Sequence, residues 1–154
     1  MKKIMFIALV ITTSLLISCA NKSKKNDSQQ SAEVEDTTIV ENLEEERLAK
    51  EFLTSLYNDY VFGHQNFSKI KSHFSEKILN RLRNEFEYDG EGYAIWLFRT
   101  GTQDGPSNIC QVNSIDKGEN GWYTVSYTDM GYDGKCRFLI EIQDNDVLVL
   151  DFEQ

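Results

Sequence analysis

This chain contains few of the residues that mark several common protein classes. One proline and nine glycines in 154 residues exclude collagen-like and Pro/Gly-rich low-complexity chains. Lys and Arg number 16 against 25 Asp and Glu, which gives a net charge of −9. This balance argues against a nucleic-acid partner, because a phosphate-binding face needs clustered basic residues. The length allows one folded domain of ordinary size.

Motifs that carry catalysis or bind cofactors are also missing. The sequence has no Gly-x-Ser-x-Gly elbow, and residues 101–105 are followed by Pro106 where a phosphate-binding Walker loop needs Lys. Residues 144–146 begin like a calcium loop but lack its turning glycine, so we interpret them as a hairpin turn. His64 and His73 have no Cys or His partner at zinc-finger spacing, and we interpret them as surface or packing residues. We expect no metal and no cofactor.

The first 19 residues resemble a targeting segment. Lys2 and Lys3 supply a positive start, and residues 4–17 are mostly apolar but shorter than the roughly 20 residues of a membrane-spanning helix. The run ends in Leu16-Ile17-Ser18-Cys19, which resembles the bacterial lipobox. The resemblance implies a signal peptide over residues 1–18 and acyl chains, such as palmitate, on Cys19. The alternative is a secretory signal in which Cys19 is incidental.

The segment after Cys19 is typical of a tether. Residues 20–42 are mostly polar or charged, and they cannot bury enough apolar surface to offset the entropy of ordering. We therefore assign residues 19–45 to the lipidated cysteine and a flexible tether, and residues 46–154 to one folded domain. Removal of residues 1–18 takes away two lysines and no acid, so the net charge falls from −9 to −11. The acyl anchor must therefore hold an acidic body at an anionic membrane surface.

The residues next to Cys19 bear on which way the protein faces. Some lipoproteins of the Bacteroidota carry an acidic run at this place as a surface-export signal, whereas residues 20–25 here contain three lysines and no acid. We expect a lipid-anchored protein of the bacterial cell envelope, on the outer membrane and facing the periplasm. Its expected partners are the bilayer and an unknown envelope protein or small ligand.

Three helices are predicted at the start of the folded domain. Apolar residues recur at helical spacing from Leu48 to Val61, after an acidic first turn at residues 44–46 and before a stop at Gly63. A short second helix is predicted over residues 67–74. A third is predicted to begin at the N-cap Ser75 and to end before residues 89–90.

The apolar pattern changes to a period of two after Pro106. Alternation over residues 122–129 and 135–142 predicts two strands, the apolar run at residues 147–152 predicts a last one, and a further strand holds Cys110. Turn signals lie at residues 117–121, 133–134 and 144–146. The predicted fold class is α+β, with three N-terminal helices packed on a curved, antiparallel four-stranded meander.

Three segments carry a resemblance to a known family: FLTSLYNDY at residues 52–60, FSEKILNRL at 74–82 and VLVLDF at 147–152. Together with the lipobox they resemble an uncharacterised family of Bacteroidota-type lipoproteins with a nuclear transport factor 2-like fold. The resemblance covers about residues 46–154 and implies a sheet that wraps the long helix into a cone with a pocket at its open end. Enzymes, ligand binders and interaction modules share that fold, so the fold alone does not give a function.

One group of residues is a candidate lining for such a pocket. Its members combine aromatic rings with charges, as small-ligand sites do: they are Trp96, Phe98, Arg99, Asp104, Tyr127 and Asp129. The alternative is that the two rings of the 96–98 segment cap the core and that Arg99 pairs with a nearby carboxylate.

Two function classes follow from these observations. The first is a non-catalytic module that binds a partner protein or a small ligand. The second is a cofactor-free pocket enzyme, a hydrolase or isomerase, with Asp129 or Asp104 as general base. A buried carboxylate with a raised pKa, facing an open cavity, would favour the enzyme, whereas a filled interior would favour the module. We favour the module.

Cys110 and Cys136 are the pair that remains if Cys19 is lipidated. In a simple meander the strand at residues 122–129 lies between their strands, so two spacings of about 4.8 Å separate them by about 10 Å. That exceeds the roughly 7 Å limit between the Cα atoms of a disulfide. We expect two free, buried thiols.

The lipobox resemblance predicts that Cys19→Ser leaves an unprocessed precursor without lipid, because the thiol is the group that takes the thioether-linked lipid. Metabolic labelling with a fatty acid and the mobility of the protein on a gel measure both effects. Cys110→Ser is the matched control and should be processed and labelled like the wild type. Normal processing of Cys19→Ser would contradict the assignment.

Overall fold

A computed structural model describes residues 30–87, 90–101 and 104–154, and over residues 30–39 it describes the backbone alone. The predicted signal peptide, Cys19 and residues 20–29 lie outside the described residues. The helices are α1 (Gln30–Ser55) and α2 (Glu76–Asn84), and the strands are β1 (Gln111–Lys117), β2 (Trp122–Asp129), β3 (Tyr132–Gln143) and β4 (Asp146–Glu153). The α+β class and the antiparallel four-stranded sheet are thus confirmed.

Helix α1 is longer than the sequence pattern predicts. It begins at Gln30, inside the segment assigned to the tether, and continues into a π-helical turn over Leu56–Val61. No glycine or proline occurs between Gln30 and Gly63, so nothing in the chain breaks the helix earlier. Gly63 ends it as predicted, since a Cβ atom at this position would overlap the carbonyl groups of Asn58 and Asp59. Of the described helices, none combines the length and the apolarity that a bilayer crossing requires.

The predicted helix over residues 67–74 is instead a pair of short 3₁₀ turns, Phe67–Lys69 and Lys71–His73. The side chain of Asn66 accepts a hydrogen bond from the Ser68 amide at 2.9 Å, which starts a tight turn rather than an α-helix. Ile70 has φ −114° and ψ 6° and interrupts the run. The described N-terminal part therefore has two α-helices rather than three.

Helix α2 begins as the sequence predicts. Ser75 is extended, and its Oγ accepts from the Ile78 amide at 3.5 Å, as an N-cap does. The Ser75 amide donates to the Val149 carbonyl at 2.9 Å, next to a parallel bridge between Phe74 and Val149. The helix is thereby attached to the edge of β4.

The strand order in the sheet is β1-β2-β3-β4, with every pair antiparallel, so the predicted meander is confirmed. The turn predicted at residues 133–134 is wrong: β2 and β3 are joined at Met130 and Gly131, whose φ angles are 53° and 85°. A two-residue hairpin turn of this kind needs positive φ at both positions, and glycine supplies one without strain. Gly134 instead lies inside β3, where a Cβ would overlap the ring of Tyr127. The predicted turn at residues 144–146 is confirmed.

The core lies between α1 with its π-helical turn and one face of the sheet. Strands β2 and β3 bury alternate residues, as the period-two pattern predicts. The largest side chains of this core are aromatic or aliphatic and are exposed by 1% or less: Leu53, Leu56, Tyr57, Phe98, Tyr127, Phe138 and Phe152.

The two described cysteines are unbonded, as predicted. Cys136 is buried on the inward face of β3, opposite Val125 of β2. Cys110 precedes β1 rather than lying in it, and it is half-buried, less than expected. It lies beside the turn of the β2–β3 hairpin, where its Sγ accepts from the Met130 amide at 3.4 Å.

Leu56→Ala should lower the free energy of unfolding by about 2–5 kcal/mol, because it empties a fully buried position. Leu43→Ala is the matched control on the same helix. Leu43 is 63% exposed, and its loss should cost less than about 0.5 kcal/mol. Urea denaturation of the two variants measures the difference, and equal costs would contradict the assignment of the buried helix face.

Candidate functional site

Asp129, at the end of β2, is a fully buried acidic residue. Its Oδ1 accepts from Nη2 of Arg99 at 2.5 Å, and both carboxylate oxygens lie 3.2 Å from Nε of the same arginine. Thr100 adds two hydrogen bonds to Oδ2, from its hydroxyl at 2.9 Å and its amide at 3.2 Å. The Cys110 Sγ lies 3.8 Å from Oδ1. The carboxylate is therefore surrounded by donors.

The pKa of Asp129 is set by two opposing effects. Burial raises it, but the hydrogen bonds from Arg99 and Thr100 and the positive charge of Arg99 outweigh burial, so the pKa lies below its ordinary value of 3.8. The same contact raises the pKa of Arg99. Both groups are charged at neutral pH, and an ionised carboxylate held by so many donors is a weak proton acceptor.

Arg99 also fastens the segment that precedes it. Its guanidinium lies 5.6 Å from the ring centroid of Phe62, within cation–π distance. The side-chain amide of Gln154 donates to the carbonyl groups of Leu97 and Arg99. The ion pair thus connects the 95–99 segment to the sheet. The hydrogen bonds from Gln154 connect the same segment to the residue that follows β4.

Trp96 and Phe98 serve different purposes. They belong to the 3₁₀ turn Ile95–Phe98. Phe98 is fully buried, and its ring contacts Phe138 and Phe152 at centroid distances of 5.3 and 4.9 Å. Trp96 is 36% exposed and lies 5.6 Å from the ring of Phe86. Phe98 therefore belongs to the core, whereas Trp96 lies at the surface beside Phe86.

Tyr127 and Asp104 complete the predicted set. Tyr127 is buried, with its ring centroid 5.1 Å from that of Tyr57. Burial raises its pKa, and so do the electrostatic interaction with the Cys136 side chain and the negative charge of Asp129. Asp104 is exposed. The structure thus brings Arg99, Tyr127 and Asp129 to one end of the sheet, where Arg99 and Asp129 form the ion pair and Tyr127 borders a separate cavity of about 450 Å³.

His64 and His73 lie at the surface or in packing positions. His64 is exposed, with φ 59°. His73 is half-buried, its Nδ1 lies 3.0 Å from the Val147 carbonyl and its ring lies 5.1 Å from that of Phe52. Within the described ranges, no three His, Cys, Asp or Glu side chains come together as a metal site requires.

Sequence reasoning missed a cavity that lies away from Asp129, here called the second cavity because it is distinct from the predicted pocket. It encloses about 510 Å³ and is lined by residues from three separate segments: Ser68, Lys71, Arg83, Phe86, Gly90, Glu91, Gly92 and Tyr93. A signal for it was present, because residues 67–84 contain five Lys or Arg and one acid within a chain of net charge −9.

Comparisons of this chain with protein-family models, with curated proteins and with solved structures gave no match.

Asp129→Asn should lower the free energy of unfolding by about 1–3 kcal/mol at neutral pH, because Arg99 loses the charge that it faces. The folded-state pKa of Asp129 is depressed, so this stabilisation is complete above pH ~5 and is lost as the pH falls below ~4. The difference in the free energy of unfolding between variant and wild type should therefore become smaller in acid. Denaturation at several pH values measures it.

Glu153→Gln is the control for this variant. Glu153 pairs with Arg137 at 2.9 Å on the surface, with both side chains about half exposed, so its loss should cost less than about 1 kcal/mol. A cost for Asp129→Asn that does not change with pH would contradict the proposed charge state.

Proposed function

We propose that this protein is a lipid-anchored lipoprotein of the bacterial cell envelope whose folded domain is a non-catalytic module that binds a partner protein or a small ligand. The anchor rests on the lipobox resemblance at Cys19, and the outer membrane, facing the periplasm, remains its expected location. The absence of catalysis rests on the state of Asp129.

The observation that carries the proposal is that both carboxylate oxygens of Asp129 already accept hydrogen bonds from protein donors. A general base for a cofactor-free reaction needs a pKa near the working pH and access to a substrate. Asp129 has a lowered pKa and is fully buried against Arg99 and Thr100. Such a carboxylate stabilises the fold and is poorly suited to exchange protons with a ligand.

The packing of the concave face of the sheet supports the same proposal. In a nuclear transport factor 2-like enzyme this face lines the pocket, whereas here it is covered by rings in mutual contact, among them Tyr57, Phe98 and Phe138. We propose this fold family for the domain, since a long helix lies across a four-stranded meander. An interior filled in this way leaves binding to the outer surface.

Chemical crosslinking in intact cells, followed by native mass spectrometry of the full-length protein in a neutral detergent, tests the proposal. We expect a discrete adduct of defined mass on the lipidated protein. The Cys19→Ser variant is the matched control and should lose the adduct, because it does not reach the membrane face where the partner is met. Recovery of the wild type without any bound protein or small molecule would contradict the proposal.

A further inference from the structure

The second cavity has the composition of an anion-binding site. Its lining contains two cations, Lys71 and Arg83, and one acid, Glu91, together with the hydroxyl groups of Ser68 and Tyr93. Its volume of about 510 Å³ lies within the range of small-ligand sites. Among the described residues of the lining the two cations outnumber the acid, although the protein as a whole is acidic.

The segment before the glycine loop of the cavity is basic, whereas the acids Glu85, Glu87 and Glu91 follow it. Residues 67–84 carry Lys69, Lys71, Lys77, Arg81 and Arg83 against Glu76 alone. Two of these cations have roles outside the cavity: Lys77 pairs with Asp151 at 2.5 Å, and Arg81 lies 4.0 Å from the ring centroid of Phe152. Lys71 and Arg83 are the cations of this segment that line the cavity.

The hydrogen bonds described for Arg83 go to neutral groups, and the negative charges of Glu76 and Glu91 act on it from farther away. Its Nη1 donates to Oδ1 of Asn80 at 2.9 Å, its Nη2 lies 3.4 Å from the Tyr93 hydroxyl, and its guanidinium lies 5.5 Å from the Tyr93 ring centroid. By contrast, Arg99 and Arg137 each donate to a carboxylate. Of the five N–H donors of a guanidinium, the described contacts of Arg83 use two, so the group is oriented and keeps its charge for a ligand.

The far wall of the cavity is formed by close packing around a glycine. A Cβ atom at Gly92 would overlap the ring of Phe86, whose other neighbour is Trp96. The loop backbone at Gly90 and Gly92 and the rings of Phe86 and Tyr93 thus line the same space. Such a wall accepts the uncharged body of a ligand whose charged group faces Lys71 and Arg83.

We propose that this cavity binds a phosphate ester, with the phosphate between Lys71 and Arg83. A guanidinium matches the geometry of phosphate oxygens, a lysine adds a point charge, and the hydroxyl group of Ser68 adds a neutral donor. This proposal names the ligand class that the binding module would take. It rests on the proposed function in one respect, which is that the ester is bound and not cleaved. Two sources share this chemistry, a lipid headgroup and a soluble phosphate ester.

Calorimetric titration of the full-length protein in a neutral detergent, at constant ionic strength, tests the site. The probes are inorganic phosphate and glycerol 3-phosphate. We expect saturable binding of both, weakened about tenfold or more by Arg83→Gln and by Lys71→Gln, since each removes a hydrogen bond to a charged group. Lys71 is exposed, so Lys71→Gln should leave the fold intact. This variant therefore tests the site even if Arg83→Gln disturbs the fold.

Lys77→Gln is the matched control. It removes the same charge from the same basic segment but outside the cavity, so it should change the affinity by less than about twofold. If Lys77→Gln lowered the affinity as much as Arg83→Gln does, the attraction would be diffuse and the proposed site would be wrong. The absence of saturable binding would also overturn the site. Release of inorganic phosphate from glycerol 3-phosphate would instead overturn the non-catalytic function and leave the binding site in place.

The same titration in nanodiscs assigns the source of the phosphate. In discs of phosphatidylcholine the affinity for glycerol 3-phosphate should match that in detergent. If phosphatidylglycerol in the discs weakens the apparent affinity of the wild type but not that of Lys71→Gln, the ligand is a lipid headgroup. An unchanged wild-type affinity supports a soluble ester.

Discussion

Tyr57 is the residue on which the arrangement of helix, loop and sheet depends. It lies in the π-helical turn after α1, and its hydroxyl group donates to the carbonyl of Phe98 at 2.9 Å. Its ring lies 5.1 Å from that of Tyr127 and meets Phe138 edge-on at 6.2 Å. One side chain thus contacts three parts of the fold, and burial keeps its pKa well above the ordinary value, so the hydroxyl group remains a donor.

This filled centre determines where chemistry can take place. Rings fill the space between α1 and the inward face of the sheet, and the charged pair of Asp129 and Arg99 lies at the end of β2, where it joins the 95–99 segment to the sheet. Lys71 and Arg83 lie elsewhere, in the lining of a cavity that they share with residues 90–93. The protein therefore combines a packed, apolar interior with an outer cavity that is lined by two cations and one acid.

Much of this fold could be predicted from the sequence, because local physics determines it. The alternation over residues 122–129 gave the bounds of β2, and Ser75 was recognisable as an N-cap. The turn at Met130 was missed because a non-glycine residue with positive φ gives no compositional signal. The partner of Arg99 was foreseen only as a nearby carboxylate. The basic cavity was missed because its walls come from separate segments, and spacing along the chain does not show that they meet.

The claim that rings fill the interior can be tested with xenon, which enters empty apolar cavities in proteins but does not enter a packed core. We would record methyl resonances of Leu53, Leu56 and Val125 under xenon pressure, with Phe98→Ala as the variant that creates a cavity. We predict saturable shifts in Phe98→Ala and none in the wild type. Saturable shifts of these methyl groups in the wild type would reveal an open interior and would contradict a filled, non-catalytic core.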